Sequence, residues 1–379
     1  MNGTSIPNRN PPVRFRRHFI LPDVATRYRT CGLREVERRA GMNASGGVGF
    51  VRPAPTVVCT NMREAPTLRT MSVVVHVGLH KTATTFLQQS FFPELEGATF
   101  VHATHELPRD PTPIHRFIMD LLFRNPATID IDGHREAIAA FVDAQPGVTI
   151  VSSEALFGWP FENHVNFRPN AELLAEVLPD AKIWLVLRRQ DSWLESAYSQ
   201  VLKQGLSTSP ERFTNFRDGA FGDFNWNIYN GPNLDVRDLD WRPYVRHYQR
   251  RFPAGVLVLP YEGFSRDASE FLGTFCDFAG VPRFVPEERK RVNVAFSPVS
   301  AMTARVVNKL PLGLKMGLKK VVPPRAHPAA ILNRTLDPLL KRRPIMPATI
   351  KSAALDLHRE ANADLAAMLA LDLAVHGYH

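Results

Sequence analysis

From Met71 onward, short apolar runs alternate with longer stretches whose apolar residues recur at helical spacing. The runs lie at 73–77, 99–102, 148–152, 182–187 and 256–259. Short runs of this length between helical stretches are the signature of βαβ units. The clearest helical stretch is 191–204, where Trp193, Leu194, Ala197, Tyr198, Val201 and Leu202 share one face and Ser192, Ser196, Ser199 and Lys203 form the opposite stripe. Further helices are predicted at 113–124, 133–144, 266–279, 298–309 and 349–370. Strand–helix alternation of this kind predicts an α/β fold with a central parallel sheet of about five strands flanked by helices.

Between these elements, 205–240 reads as one long irregular loop, punctuated by Gly205, Gly219, Gly222, Gly231 and Pro232. Loops of that length in a folded domain are usually lids or binding loops. Its aromatics, Phe213, Phe216, Phe221, Phe224, Trp226 and Tyr229, with Trp241 close by, serve either the loop's own packing or a surface for a ligand. The chain contains no internal repeat.

Charge changes the picture of the first 70 residues. The chain has 379 residues, 44% of them hydrophobic, and a formal net charge of +9. Residues 1–70 hold twelve Arg, no Lys and four acids, a net of +8, so the remaining 309 residues carry about +1. A basic body that binds nucleic acid is thereby excluded as a reading of the charge. The Arg-, Pro- and Gly-rich leader is expected to be disordered. It is either an organelle transit segment or the product of an upstream start, with Met71 the true initiator; the start-site explanation is favoured.

Cysteine adds little. Cys31, Cys59 and Cys276 have no short spacing of the kind a zinc or redox motif needs, and a reducing compartment fits them. No apolar stretch is long enough to span a bilayer, and the N-terminus lacks the apolar core of a secretory signal. A cytoplasmic location is expected, and the sequons at Asn2, Asn43 and Asn333 then carry no glycan.

The strongest chemical signal is Gly78-Leu79-His80-Lys81-Thr82-Ala83-Thr84-Thr85, between the first strand and an apolar helical run. A strand, a tight turn and a helix start present free backbone N–H groups to an anion. Lys81 adds a full charge, and Thr82, Thr84 and Thr85 add hydroxyls, one of which can instead cap the helix. The loop has one glycine where the ATP/GTP pattern has two, and no strand ends in an Asp for Mg²⁺.

The run from His76 to Gln88 resembles the first strand and turn of the sulfotransferases that use 3′-phosphoadenosine 5′-phosphosulfate (PAPS), in particular bacterial members acting on carbohydrates or small molecules. The resemblance implies a three-layer P-loop-like fold. It implies that Gly78, His80, Lys81, Thr82, Ala83, Thr84 and Thr85 hold the 5′-phosphosulfate, with Lys81 stabilising charge on the departing oxygen. The family also places an Arg at the end of a later strand and a Ser eight positions on, which together grip the 3′-phosphate. Arg188 and Ser196 have that spacing, whereas Arg189 would be paired with Ala197. Arg289, Lys290 and Arg291 match further basic contacts of the family, and equally a solvated charge run. Tyr261-Glu262 and the tail from Asn362 resemble its later strand end and closing helix.

Sulfuryl transfer needs a proton acceptor beside the acceptor's hydroxyl or amine. Glu154, just past the third strand, is the leading candidate, with the capping or pairing of an Arg as its alternative role. His80 is the second candidate, and His102 and His105 follow. His105-Glu106 lacks the second His of a helical zinc motif, so no metal is expected. The acceptor is expected to be a carbohydrate, lipid or small molecule. Two rival readings remain: a P-loop kinase or other phosphotransferase, and a non-catalytic nucleotide- or nucleic-acid-binding module built on the leader.

Overall fold

The computed structural model describes residues 72–104, 106–222, 234–287, 297–309 and 344–379. The leader, His105, the aromatics Phe224, Trp226 and Tyr229, and the basic run 289–291 lie outside them.

Five parallel strands form the sheet: β1 (Val73–Gly78), β2 (Ala98–His102), β3 (Val148–Ser153), β4 (Lys182–Leu187) and β7 (Val256–Pro260). Their spatial order is β2-β3-β1-β4-β7. All are parallel, with Val75 opposite Val151 on β3 and Ile183 on β4. Every residue of β1 and β3 is buried, as expected of parallel strands covered on both faces.

The period of two nevertheless decides which layer each side chain joins. Val73, Val75 and Val77, with Ile183, Leu185 and Leu187, enter the larger core. There they meet α2 (Pro113–Phe123), α3 (Ile131–Asp143), α4 (Phe167–Val177), α5 (Gln190–Lys203), α7 (Arg242–Arg251), α10 (Pro298–Asn308) and α11 (Ala348–Leu369). Val74, Trp184 and Val186 enter the smaller core on the opposite face. That core is built on the short α1 (Thr84–Phe86), the turn that follows it, and α9 (Ala268–Ala279), which α8 (Tyr261–Arg266) precedes. Trp184 and Phe275 pack there with ring centroids 4.2 Å apart. Burying each such aromatic contributes on the order of 2–3 kcal/mol.

The expected strands and helices are found within about two residues of their predicted ends. Helices α4 and α7 were not predicted, because their apolar faces are broken by Asn170 and by the arginines of 242–251. The described part of the expected long loop is more ordered than its glycines imply. It contains α6 (Pro210–Thr214), capped by the Ser209 side chain, and a two-stranded hairpin, β5 (Phe216–Arg217) and β6 (Ala220–Phe221). Ser199, expected on a solvated stripe, is buried, because α10 and α11 pack over α5.

The connection leaving β1 runs toward β2, and the one leaving β4 runs the other way, toward β7. Neighbouring strands with diverging connections open a crevice at their carboxyl ends, where ligands of open α/β sheets bind. Gly78 and Leu187 end these two strands, and Ser153 ends the adjacent β3.

Candidate active site

The loop after β1 is held open from outside. A Cβ at Gly78 would stand 3.0 Å from Thr84 Oγ1 and 3.3 Å from both Glu154 Cγ and His76 Cε1. Only glycine lets these groups close over the strand end. Lys81 (φ 74°) and Ala83 (φ 65°) are left-handed, a conformation that costs non-glycine residues about 1 kcal/mol or more each. Two such residues in three alternate the backbone's handedness, which gathers N–H groups on one side as an anion cradle. The carbonyls are turned away and satisfied. Trp193 Nε1 donates to His80 O at 2.9 Å, and Arg188 Nη1 donates to Lys81 O at 2.5 Å.

Thr82 Oγ1 donates back to Leu79 O at 2.5 Å, so its hydroxyl proton closes the turn. Thr84 opens α1 with its hydroxyl buried beside the Glu154 carboxyl, whereas Thr85 is half-buried. The residue preceding α1 is Ala83, with no side-chain cap, so neither Thr84 nor Thr85 caps the helix.

A cavity of about 320 Å³ opens beside this loop. Its wall includes His80, Lys81, Glu154, Trp159, Gln88 and Gln200. Lys81 Nζ donates to Gln200 Oε1 at 3.1 Å. Burial lowers the Lys81 pKa, the Glu154 carboxylate raises it, and Arg188 lowers it further. The Glu154 side chain is 34% exposed and lines the cavity. Burial still dominates and raises its pKa, against the opposing pull of the Thr84 hydroxyl, Lys81 and His102.

His80 Nε2 lies 3.8 Å from Glu154 Oε2. Burial, then the Lys81 charge, push the His80 pKa down to about 3. The imidazole is neutral at any ordinary pH, so the contact is no ion pair. A group whose conjugate acid is that strong is a poor proton acceptor, whereas the raised carboxyl of Glu154 is a better one. His102 also lines the cavity, and burial followed by His115 lowers its pKa.

Arg188, one residue beyond β4, does not line the cavity and reaches Lys81 through the loop carbonyl. Its Nε donates to Ser192 Oγ at 2.9 Å, and the guanidinium lies 4.5 Å from the Tyr261 ring centroid. Ser196, expected as its partner, stands one turn further along α5 and is half-buried. Glu262 ties the surroundings together. Its Oε1 accepts from Arg189 N at 3.1 Å and Ser192 Oγ at 3.0 Å, and its Oε2 accepts from Tyr378 OH at 3.2 Å. Arg189 Nη1 donates to His376 O at 3.1 Å, which brings the C-terminal residues against this group.

No family model matches the chain, and no curated protein does. Among solved structures it is similar to a sulfotransferase from Alicyclobacillus acidocaldarius, with a TM-score of 0.43 and 16% identity over 80% of this chain and 97% of that one. A likeness that distant says nothing about what this chain binds.

Of the residues singled out in the sequence, the structure brings His80, Lys81, Glu154 and His102 to the cavity wall and places Arg188 behind the loop, whereas Gln88, Gln200 and Trp159 join the wall and Ser192 joins Arg188 without having been assigned a role. Ser192 was readable from geometry, since position 188 plus four is the first helical turn facing the strand end. The two glutamines and the tryptophan belong to no motif and meet only through long-range packing.

Proposed function

We propose that this chain is a sulfotransferase that takes its sulfuryl group from PAPS and delivers it to a hydroxyl or amine held in the cavity. The observation that carries the reading is the Arg188–Lys81 hydrogen bond, which joins the cation at the end of β4 to the phosphate-type loop at the end of β1. One nucleotide with phosphates on both sides of its ribose would meet both.

The residues present suit such a ligand. A Cβ at Gly78 would crowd Thr84, Glu154 and His76 at the strand end, and the buried Thr84 hydroxyl lies beside the Glu154 carboxyl. Arg188 has five N–H donors, of which two are committed to Ser192 and Lys81, so three remain for a phosphate. Ser196 would add a hydroxyl one turn along α5. Gly78, His80, Lys81, Thr82, Ala83, Thr84 and Thr85 would line the 5′ side.

The donor supplies a sulfuryl group whose S–O bond to phosphate breaks as a new bond forms from sulfur to the acceptor, S–O for a hydroxyl or S–N for an amine. Glu154 takes the acceptor's proton, Lys81 offsets charge on the departing phosphate oxygen, and His80 stays a neutral neighbour. The experiment is transfer of labelled sulfate from PAPS to cell extract, fractionated into lipid, polysaccharide and small-molecule pools. Label in one pool that is lost with Glu154→Gln supports the reading; label in none contradicts it.

A further inference from the structure

Two carboxamides in the cavity wall are locked in opposite senses. Gln200 Oε1 accepts from Lys81 Nζ at 3.1 Å. An ammonium only donates, so the Gln200 oxygen must face it and its NH₂ is left for the cavity.

Gln88 is held the other way. Its Nε2 lies 3.0 Å from Ser152 Oγ, which in turn lies 2.8 Å from His76 Nδ1. His76 is buried against the rings of Phe92 and Trp184, with centroids 5.4 and 4.9 Å away, and its Nε2 has no hydrogen-bond partner. Burial keeps this imidazole neutral, with a pKa pushed down to about 3, so it carries one proton. That proton sits on Nδ1 or on Nε2, and in both tautomers the Ser152 oxygen keeps a lone pair for Gln88 Nε2, which leaves Gln88 Oε1 as an acceptor for a ligand in the cavity that Gln88 lines. The π-helical turn Leu87–Phe91 carries Gln88 to this position.

We infer that Gln88 and Gln200 select an acceptor bearing a second hydroxyl next to the reacting one, a vicinal diol. The reacting hydroxyl turns its proton to Glu154. Its neighbour donates to Gln88 Oε1 and accepts from Gln200 Nε2, which a hydroxyl alone among common neutral groups does with one atom. An ammonium cannot accept from Gln200, and a lone alcohol on a hydrocarbon leaves both amides unpaired, which such sites reject strongly. The volume of about 320 Å³ admits one substituted six-membered ring.

This inference rests on the sulfotransferase reading, and the test separates the two. Dissociation constants of trans-1,2-cyclohexanediol and cyclohexanol are measured by ligand-observed NMR, with and without 3′,5′-adenosine bisphosphate, alongside labelled-sulfate transfer from PAPS to each alcohol. The diol should bind about 10-fold tighter than the mono-alcohol and be the better acceptor by at least that factor. The preference should fall to about 2-fold or less in Gln88→Met, which keeps the side chain's length, and likewise in Gln200→Met. Ser152→Ala should give an intermediate ratio, because the Gln88 amide is then free to turn. Equal binding of both alcohols to the wild type, or an unchanged ratio in a Gln88→Met protein of normal melting temperature, overturns the inference. Failure of the bisphosphate to raise the melting temperature brings down the donor reading instead, and the diol preference of the free protein is still read by the same titration.

Discussion

Arg188 donates through Nη1 to the backbone carbonyl of Lys81 at 2.5 Å, across 107 residues of sequence. This bond satisfies the carbonyl of a left-handed loop residue from the end of β4. Arg188→Lys removes the planar fork that serves Lys81 O and Ser192 Oγ together. A buried carbonyl without its donor costs about 1–3 kcal/mol. The variant should melt several degrees lower by calorimetry, and an unchanged melting temperature would show that the bond is not structural.

Lys81 meets the cavity through its ammonium, where charge on a departing oxygen would develop. Lys81→Ala should lower kcat by about 10²–10³ with a smaller effect on KM for the donor. Steady-state kinetics with labelled donor decides this, and a change confined to KM would remove the assigned role.

Glu154 has a raised pKa because burial disfavours its charged form. As a base it acts ionised, so activity should rise with pH through an inflection above the ordinary carboxylate value of about 4.5. Glu154→Gln should lower kcat by about 10²–10⁴ and abolish that limb. Stability should move the other way. A carboxyl with a folded pKa above its unfolded one destabilises the fold as pH rises from the unfolded to the folded value. Glu154→Gln should therefore melt above the wild type at pH 7, with the difference vanishing as pH falls below about 4.5. A variant that melts lower at pH 7 would contradict the burial argument.

His76, His80 and His164 are buried neutral, with pKa values pushed to about 3, 3 and 4, chiefly by burial. Unfolding exposes them to their ordinary value of 6.5, so the unfolded chain binds more protons below that pH. The melting temperature should fall steadily as pH drops from about 6.5 toward 4, and a flat profile there would show that these rings titrate normally.

The sheet was legible in the sequence because its strands are short, mainly apolar runs set between helical stretches, and every run named from pattern lies in it. The loop's anion geometry was legible because Gly78 and Lys81 follow a strand directly. What escaped is what only packing creates. The polarity of Gln88 depends on Ser152, which is bonded to His76 on the neighbouring strand, 76 residues away in sequence. Arg188 donates to Ser192 one turn before Ser196, because α5 begins at Gln190 and its first turn faces the strand end. His80 draws attention as a base through its adjacency to Lys81, yet burial first and that adjacency second push its pKa down to about 3.

The central claim is that one nucleotide engages both the loop and Arg188. Calorimetric titration with 3′,5′-adenosine bisphosphate and with adenosine 5′-monophosphate isolates the second phosphate. The bisphosphate should bind the wild type about 100-fold tighter than the monophosphate, as expected for charge-assisted contacts, and Arg188→Ala should reduce that ratio below about 10. Equal affinity for the two nucleotides in the wild type, or a ratio untouched by Arg188→Ala, would contradict it.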